Sequence, residues 1–385
     1  MLKRSAAIKE SSVLSDFGGG LRCFGSLQSA ADDVGGCNAG QPRSVHRIQK
    51  TEMKGKGIPL RIAAGLCLLI CVTGAARAQD EGDLTAKRRL FPSLGPGLRA
   101  IKVGADGNYY VLTAPGAAVQ VFDRAGKLVK KVPSYEAGKG PQSEQLRSIA
   151  FGEDFDVYAS GTVYVADRGA NAIKIWEANG NARMVPVNAP VSVAALPEGE
   201  VAVATLREPH LVVVFDKNGR DVREFGDPEQ ISDRPEVNRY LSVGQLATDA
   251  QGHLYYAFEF LPEPTVRQYD RHGIAGQDVQ YTALEAWPAA QAVRKEIERQ
   301  EKRGDAPSFK RILTAAGVEP TTQEVWMGLH NTLLHFDAEG NRRASYQLYT
   351  PEGARLEAVT ILIEKQRLII GSDPLGIFEF DKRFR

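Results

Sequence analysis

The sequence predicts an all-β fold, a six-bladed β-propeller of four-stranded antiparallel blades. Three observations predict it. First, an aromatic–acidic pair followed by a turn recurs six times, at Phe122-Asp123, Trp176-Glu177, Phe215-Asp216, Tyr269-Asp270, Phe336-Asp337 and Phe380-Asp381. The first five run into a glycine three residues after the acid, and the spacings of 54, 39, 54, 67 and 44 residues describe one repeated unit with loops of variable length. Second, residues 161–180 read as two short β-rich runs bracketed by Gly, Asn and Asp, the signature of a hairpin. Third, runs such as residues 211–215 are apolar without alternation, as in strands covered on both faces; the outer strands of a sandwich would alternate. One small sheet cannot bury both its faces, so the repeats must pack on one another.

The first 78 residues stand apart from this pattern. Residues 53–78 combine a basic start (Lys54, Lys56, Arg61), an apolar segment over 62–72 and a small-x-small ending at Ala76-Arg77-Ala78. That is the three-part pattern of a secretory signal peptide, cleaved after Ala78. The apolar segment is shorter than the roughly 20 residues a permanent membrane helix needs. Leu66 and Ile70, ahead of Cys67 and Cys71, are too bulky for a lipoprotein cleavage site, so the expectation is a periplasmic or secreted chain without a lipid anchor or a membrane span. Residues 1–52 are rich in Gly, Ser and charge and lack apolar periodicity; they read as a disordered leader or as untranslated, with translation starting at Met53.

Residues 79–385 then carry 37 basic and 42 acidic residues, a net charge near −5. No basic stripe remains to track phosphates, which argues against nucleic acid as a partner. All four cysteines lie before residue 79, so neither disulfides nor cysteine-based metal sites or catalysis belong to the expected mature chain. A chain of this size has a core large enough to do without them.

In order, blade one is expected at residues 98–103, 109–112, 119–122 and 127–132, joined by short turns at 105–107, 114–117 and 123–126. Blade two follows at 146–151, 162–166, 173–176 and 182–187, and blade three, the most compact, at 191–196, 201–205, 211–215 and 221–225. Blade four is expected at 241–249, 253–258, 265–269 and 276–281, and blade five at 309–315, 324–328, 332–336 and 343–348. Blade six has runs at 356–363, 367–371 and 376–380 and no fourth. A spare run at 84–91 supplies it, closing the ring and removing an open edge. Between blades four and five, residues 284–304 carry Val293 and Ile297 four apart and i,i+4 charge pairs Arg294-Glu298 and Glu298-Lys302, ending at Gly304 and Pro307. This is an inserted surface helix, either a solvated face or a docking face for an envelope-assembly partner.

Residues 138–176 sharpen the fold. Gly138-Lys139-Gly140-Pro141, Leu146-Arg147-Ser148-Ile149-Ala150, Val163-Tyr164-Val165-Ala166-Asp167 and Asn171-Ala172-Ile173-Lys174-Ile175-Trp176 together resemble the NHL repeat. Leu146-Arg147 departs from that repeat's proline-x-glycine lead, and Lys174 replaces its usual arginine. Blade two matches well, blades one, three and four partly, and five and six weakly. The resemblance implies a six-bladed propeller; propellers of this kind include binding scaffolds, calcium-dependent lactonases and lyases, so it leaves activity open.

In a propeller the loops joining strand two to three and blade to blade share one face, and here the long loops gather there. The inner strands are expected to begin at the channel mouth with Arg99, Arg147, Gln245 and Glu357, with Arg168, Arg207, Glu259 and His330 on nearby loops. These are the candidate ligand-binding residues. The favoured function is non-enzymatic binding of a protein, peptide or glycan, with no cofactor. The alternative is a calcium- or zinc-dependent hydrolase or lyase of lactonase type, with Asn331, Glu357 and Asp373 as metal ligands and His210 or His330 assisting, since calcium wants six to eight oxygens converging on one point. His210 and His330 lie 120 residues apart with no metal-ligand spacing, so a packing role competes for both. Asp167 equally fits a hydrogen-bonded loop, and Arg99 and Arg147 fit pairing with Glu357. No G-x-S-x-G and no phosphate-cradling glycine loop occurs.

Overall fold

The computed structural model describes residues 80–114, 118–134, 143–280, 286–304 and 306–382. The leader at 1–52, the signal peptide at 53–78 and its cleavage site lie outside the described residues. No described helix is long and apolar enough to cross a membrane.

Six sheets form a six-bladed β-propeller. Blade one consists of Leu98–Val103, Tyr109–Thr113, Val119–Phe122 and Leu128–Val132; blade two of Gly152–Val157, Val163–Asp167, Ala172–Trp176 and Ala182–Pro186. Blade three holds Pro190–Ala195, Val201–Thr205, Val212–Phe215 and Asp221–Phe225; blade four Gly244–Thr248, Leu254–Phe258, Thr265–Tyr269 and Ala275–Gln280. Blade five holds Ala315–Val318, Val325–Leu329, Thr332–Phe336 and Arg342–Tyr349; blade six Thr360–Glu364, Arg367–Ser372 and Gly376–Asp381. The first strand of each blade is innermost, and these six pack in sequence around a ring that closes from blade six to blade one.

The repeated sequence pair explains the outer half of every blade. All six aromatics (Phe122, Trp176, Phe215, Tyr269, Phe336, Phe380) are buried between blades. In blades one, three and four the acid after them caps the next turn: Asp123 Oδ1 accepts from the backbone N–H of Ala125 and Lys127, Asp216 Oδ1 from Asn218 and Arg220, and Asp270 Oδ1 from His272 and Ile274. The glycine three residues on then takes φ between 79° and 93° (Gly126, Gly180, Gly219, Gly273, Gly340), which a side chain would disfavour. The second strands are buried along their whole length, as Tyr109–Thr113 and Val201–Thr205 illustrate, because both faces meet a neighbouring blade.

The ring closes through blade six as expected, with a shorter strand than expected. The run at 84–91 is not one strand. Arg88–Leu90 pairs antiparallel with Gly376–Asp381 as the missing fourth strand of blade six. Asp80–Thr85 pairs parallel with Arg342–Tyr349 and extends blade five to five strands. Between them Ala86 N–H donates to Tyr349 O and Lys87 N–H to Glu379 O, so the chain crosses from one blade edge to the next. Phe91 then stacks on Phe122 of blade one, centroids 4.5 Å apart.

Several inner strands start later than expected. In blade two residues 146–151 are not a strand: Glu144–Leu146 is a short 3-10 turn, and the inner strand is Gly152–Val157, sequence GEDFDV. In blade four residue 241 ends a helix, Pro235–Leu241, before the strand begins at Gly244. The inner strands of blades five and six begin at Ala315 and Thr360 rather than at 309 and 356. The common reason is that an inner strand faces a polar channel and need not be an apolar run, while the apolar residues ahead of it pack loops over the ring. The inserted helix spans Trp287–Arg303, capped by Gly304 at φ 70°. It buries Ala290, Val293, Ile297 and Gln300 against blades four and five and is tied down by Arg234, which donates to Gln300 O. Arg294 pairs with Glu263 of blade four.

Candidate functional site: the mouth of the central channel

The inner strands enclose a cavity of about 570 Å³. An inner strand has one edge without a β partner, and its N–H groups need acceptors. Side chains from the preceding blade supply them. Thr360 Oγ1 accepts from Ile101 N–H (3.3 Å), Asp156 Oδ2 from Ala195 N–H (2.8 Å) and Ser192 Oγ from Leu246 N–H (2.9 Å). The Ser192 hydroxyl in turn donates to Asp154. These polar residues fasten the ring from within, which is why the sequence places acids on GEDFDV.

Lys102 lies among them. Burial alone would lower its pKa, but Asp156 and Asp154 outweigh that and raise it, so the ammonium stays charged. Asp154 is shifted upward because burial outweighs Lys102 and its hydrogen bonds to Ser192 and Phe155 N–H.

At the mouth, three inner strands carry a β-bulge at their second residue. Register slips between Leu98 and Ala100, between Gly152 and Asp154 and between Pro190 and Ser192, leaving Arg99, Glu153 and Val191 as the extra residues. A bulge re-aims the side chain it carries, and all three line the cavity. Glu153 accepts from Arg168 at 3.0 Å and faces Arg99 at 3.8 Å; the Arg99 guanidinium lies over the Phe151 ring, 5.2 Å from its centroid. Across the mouth Glu259, 4% exposed, is held by Arg311 Nε and Gln245 Nε2, both at 2.8 Å. Burial pushes the Glu259 carboxyl up, more than Arg311 and Gln245 pull it down. Tyr240 and Phe260, ring centroids 5.1 Å apart, form an aromatic wall with Leu206 and Val243 beside it.

Of the residues expected from the sequence, Arg99, Arg168, Gln245, Glu259 and Asp373 line this cavity. Asp373 Oδ1 accepts from Gly97 N–H (2.7 Å), tying blade six to blade one. Arg147 lies on an exposed loop before the inner strand, and Arg207 is exposed on the rim. Glu357 precedes its strand and pairs with His330 at 3.1 Å outside the cavity lining, rather than with Arg99 or Arg147. Asn331 donates to Gln347 of the outer strand, and His210 faces Asp227 at 3.4 Å. Asn331, Glu357 and Asp373 thus have three separate sets of partners. Among the described residues no three His, Cys, Asp or Glu side chains are grouped to hold a metal ion. Asp167 accepts from the backbone N–H of Ala150, Phe151 and Ala170 and pairs with Lys174 at 2.7 Å, both side chains buried. Its role is to hold its own loop.

Lys102, Glu153, Asp154, Asp156, Tyr240, Phe260 and Arg311 were not picked out from the sequence. The three acids of GEDFDV, Glu153, Asp154 and Asp156, were a usable signal for a channel-lining strand; Arg311 and Tyr240 carried none.

No family model matches the chain, and none of the curated proteins compared matches it. Solved structures do. A streptogramin B lyase aligns at 14% identity and TM-score 0.47, covering 77% of this chain and 87% of its own. A virginiamycin B lyase from Staphylococcus aureus aligns at 11% identity and TM-score 0.45, covering 77% and 88%. A gluconolactonase from Xanthomonas campestris aligns at 14% identity and TM-score 0.47, covering 74% and 86%. The six-bladed β-propeller is read from the chain's own six sheets.

Proposed function

We propose that this chain is an exported, NHL-like binding propeller that takes a peptide or small organic ligand into the mouth of its central channel without turning it over. One observation carries the reading. The mouth joins three guanidinium groups, Arg99, Arg168 and Arg311, to an aromatic wall around a cavity of about 570 Å³, within the range of ligand pockets. Its carboxylates already have partners: Glu153 holds Arg168, Glu259 an arginine and an amide, Asp373 backbone N–H groups. Such groups fix orientation and recognise. Export rests on residues 53–78, and the charged outer face of the Trp287–Arg303 helix is the place for an envelope partner.

The test is a ligand-observed NMR screen of short peptides and small organic compounds against the wild type and a Leu206→Trp variant that fills the mouth. Compounds that bind the wild type and are lost on blocking support the reading. No binders, or binders indifferent to the block, would sink it.

A second reading, turnover, is favoured by Glu259 alone. A buried carboxyl with a raised pKa in a cleft is suited to general acid or base work. Its metal-dependent form, with calcium or zinc, would need Asn331, Glu357 and Asp373 to converge on one ion.

A further inference from the structure

We propose that the mouth recognises a carboxylate on its ligand, and that Arg99 is the residue that anchors it. The inference rests on the mouth being a binding site, as argued above, and adds the chemical class of what enters.

Arginine at the mouth has donors to spare. Each guanidinium presents five N–H groups in a planar fork suited to a carboxylate. Glu153 takes its closer contact from Arg168 and stands 3.8 Å from Arg99, beyond hydrogen-bond reach. Glu259 has one oxygen on Arg311 Nε and the other on Gln245. Arg99 is therefore the least neutralised of the three, and its Nε–H is buried without an acceptor. A buried donor left unmatched is costly unless something else completes it.

The placement of Arg99 is built in. It is the extra residue of a bulge, its guanidinium rests on the Phe151 ring, and the neighbouring Leu98 N–H is held by Asp373. The cation is aimed before a ligand arrives, which reduces the ordering cost of binding. Three residues further along the same strand, about 10 Å at the usual strand rise, Lys102 places a second cation inside the channel, with the Asp154 and Asp156 oxygens engaged by Ser192 and by backbone N–H groups. Asp154 and Asp156 face Lys102, so the carboxylate of a ligand is taken at Arg99, in the mouth, and not deeper in the channel. A neutral ligand gains no ion pair from Arg99.

A free organic acid and the C-terminus of a peptide share this chemistry. The experiment uses matched pairs: aromatic acids, dicarboxylates, sugar acids and free-C-terminus tripeptides, each with its primary amide, titrated by calorimetry into the wild type, Arg99→Met, Arg99→Lys and Leu206→Trp. The expected result is that acids bind roughly tenfold or more tighter than their amides, as a charge-assisted hydrogen bond supplies. Arg99→Met is expected to bring acids down to the affinity of their amides with amide binding unchanged, and Arg99→Lys to restore part of the gap. Preference for tripeptides or for small acids identifies the source, and either supports the proposal. Acid and amide binding equally, with both lost in Leu206→Trp, overturns the carboxylate while leaving the mouth as the site. Binding unaffected by Leu206→Trp, or no binding by any pair, overturns both.

Discussion

Ser192 of blade three bridges two neighbouring blades: its hydroxyl donates to Asp154 of blade two and accepts from Leu246 N–H of blade four at 2.9 Å. The residue is fully buried, and its bond to Leu246 N–H lies away from bulk water. Ser192→Ala removes a donor from Asp154 and an acceptor from Leu246 together. We expect a loss of about 1–3 kcal/mol, a few degrees in Tm, measured by chemical denaturation and calorimetry. A variant as stable as the wild type would show that the inner ring does not depend on this link.

Lys174 and Asp167 form a buried ion pair that also receives three backbone N–H groups. Burial alone would raise the Asp167 pKa, but Lys174 and the N–H groups of Phe151 and Ala150 bring it below the ordinary carboxylate value. Ionised Asp167 therefore contributes stability above that value, lost as pH falls through the depressed one. Lys174→Met strands the carboxylate and is expected to cost about 3–5 kcal/mol at neutral pH. The deficit should shrink in acid; a deficit constant with pH would assign the loss to packing instead.

Truncation should resolve the two N-terminal strands. Removing residues through 85 strips only the fifth strand of blade five, whereas removing residues through 91 also opens blade six and takes away Phe91, buried against Phe122 and Tyr109. The second truncation is expected to lower Tm well beyond the first, since loss of Phe91 alone is worth about 3–5 kcal/mol. Equal melting curves would remove Arg88–Leu90 as the closure.

Glu259 should leave a pH signature of opposite sign. Its folded-state pKa is raised, chiefly by burial, so the folded chain holds this proton more tightly than the unfolded one. Stability from that proton is present below the ordinary value and is lost as pH rises through the folded pKa. Relative to Glu259→Gln, the wild type is expected to lose stability across that window, read by denaturation at a series of pH values. A difference that stays flat would mean that Arg311 neutralises the carboxylate fully.

Chelation tests the metal reading directly. A bound ion would stabilise the fold by mass action, while Asn331, Glu357 and Asp373 each have protein partners already. Tm is expected to be unchanged on adding chelator to protein purified without it. A lowered Tm would return these residues to the centre of the site.

The sequence by itself determined the number of blades, their order, and the buried aromatics and capped turns of the outer strands. Phe122 with Asp123 and Gly126, or Phe215 with Asp216 and Gly219, act within a few residues of one another, so short-range pattern suffices to read them. It also brought out five cavity residues, Arg99, Arg168, Gln245, Glu259 and Asp373, because the connectivity of a propeller assigns loops to faces. Only the tertiary structure decided the rest. That residues 146–151 are loop while GEDFDV is strand follows from the channel, since Asp154 and Asp156 are acceptable on a strand only where the next blade offers donors, here the Ser192 hydroxyl and Ala195 N–H. That Glu357 pairs with His330, and that Glu259 meets Arg311 52 residues away, depends on which loops close over the mouth. Such contacts are long-range, fixed by packing and by the need to satisfy buried polar groups, and no local spacing in the chain encodes them.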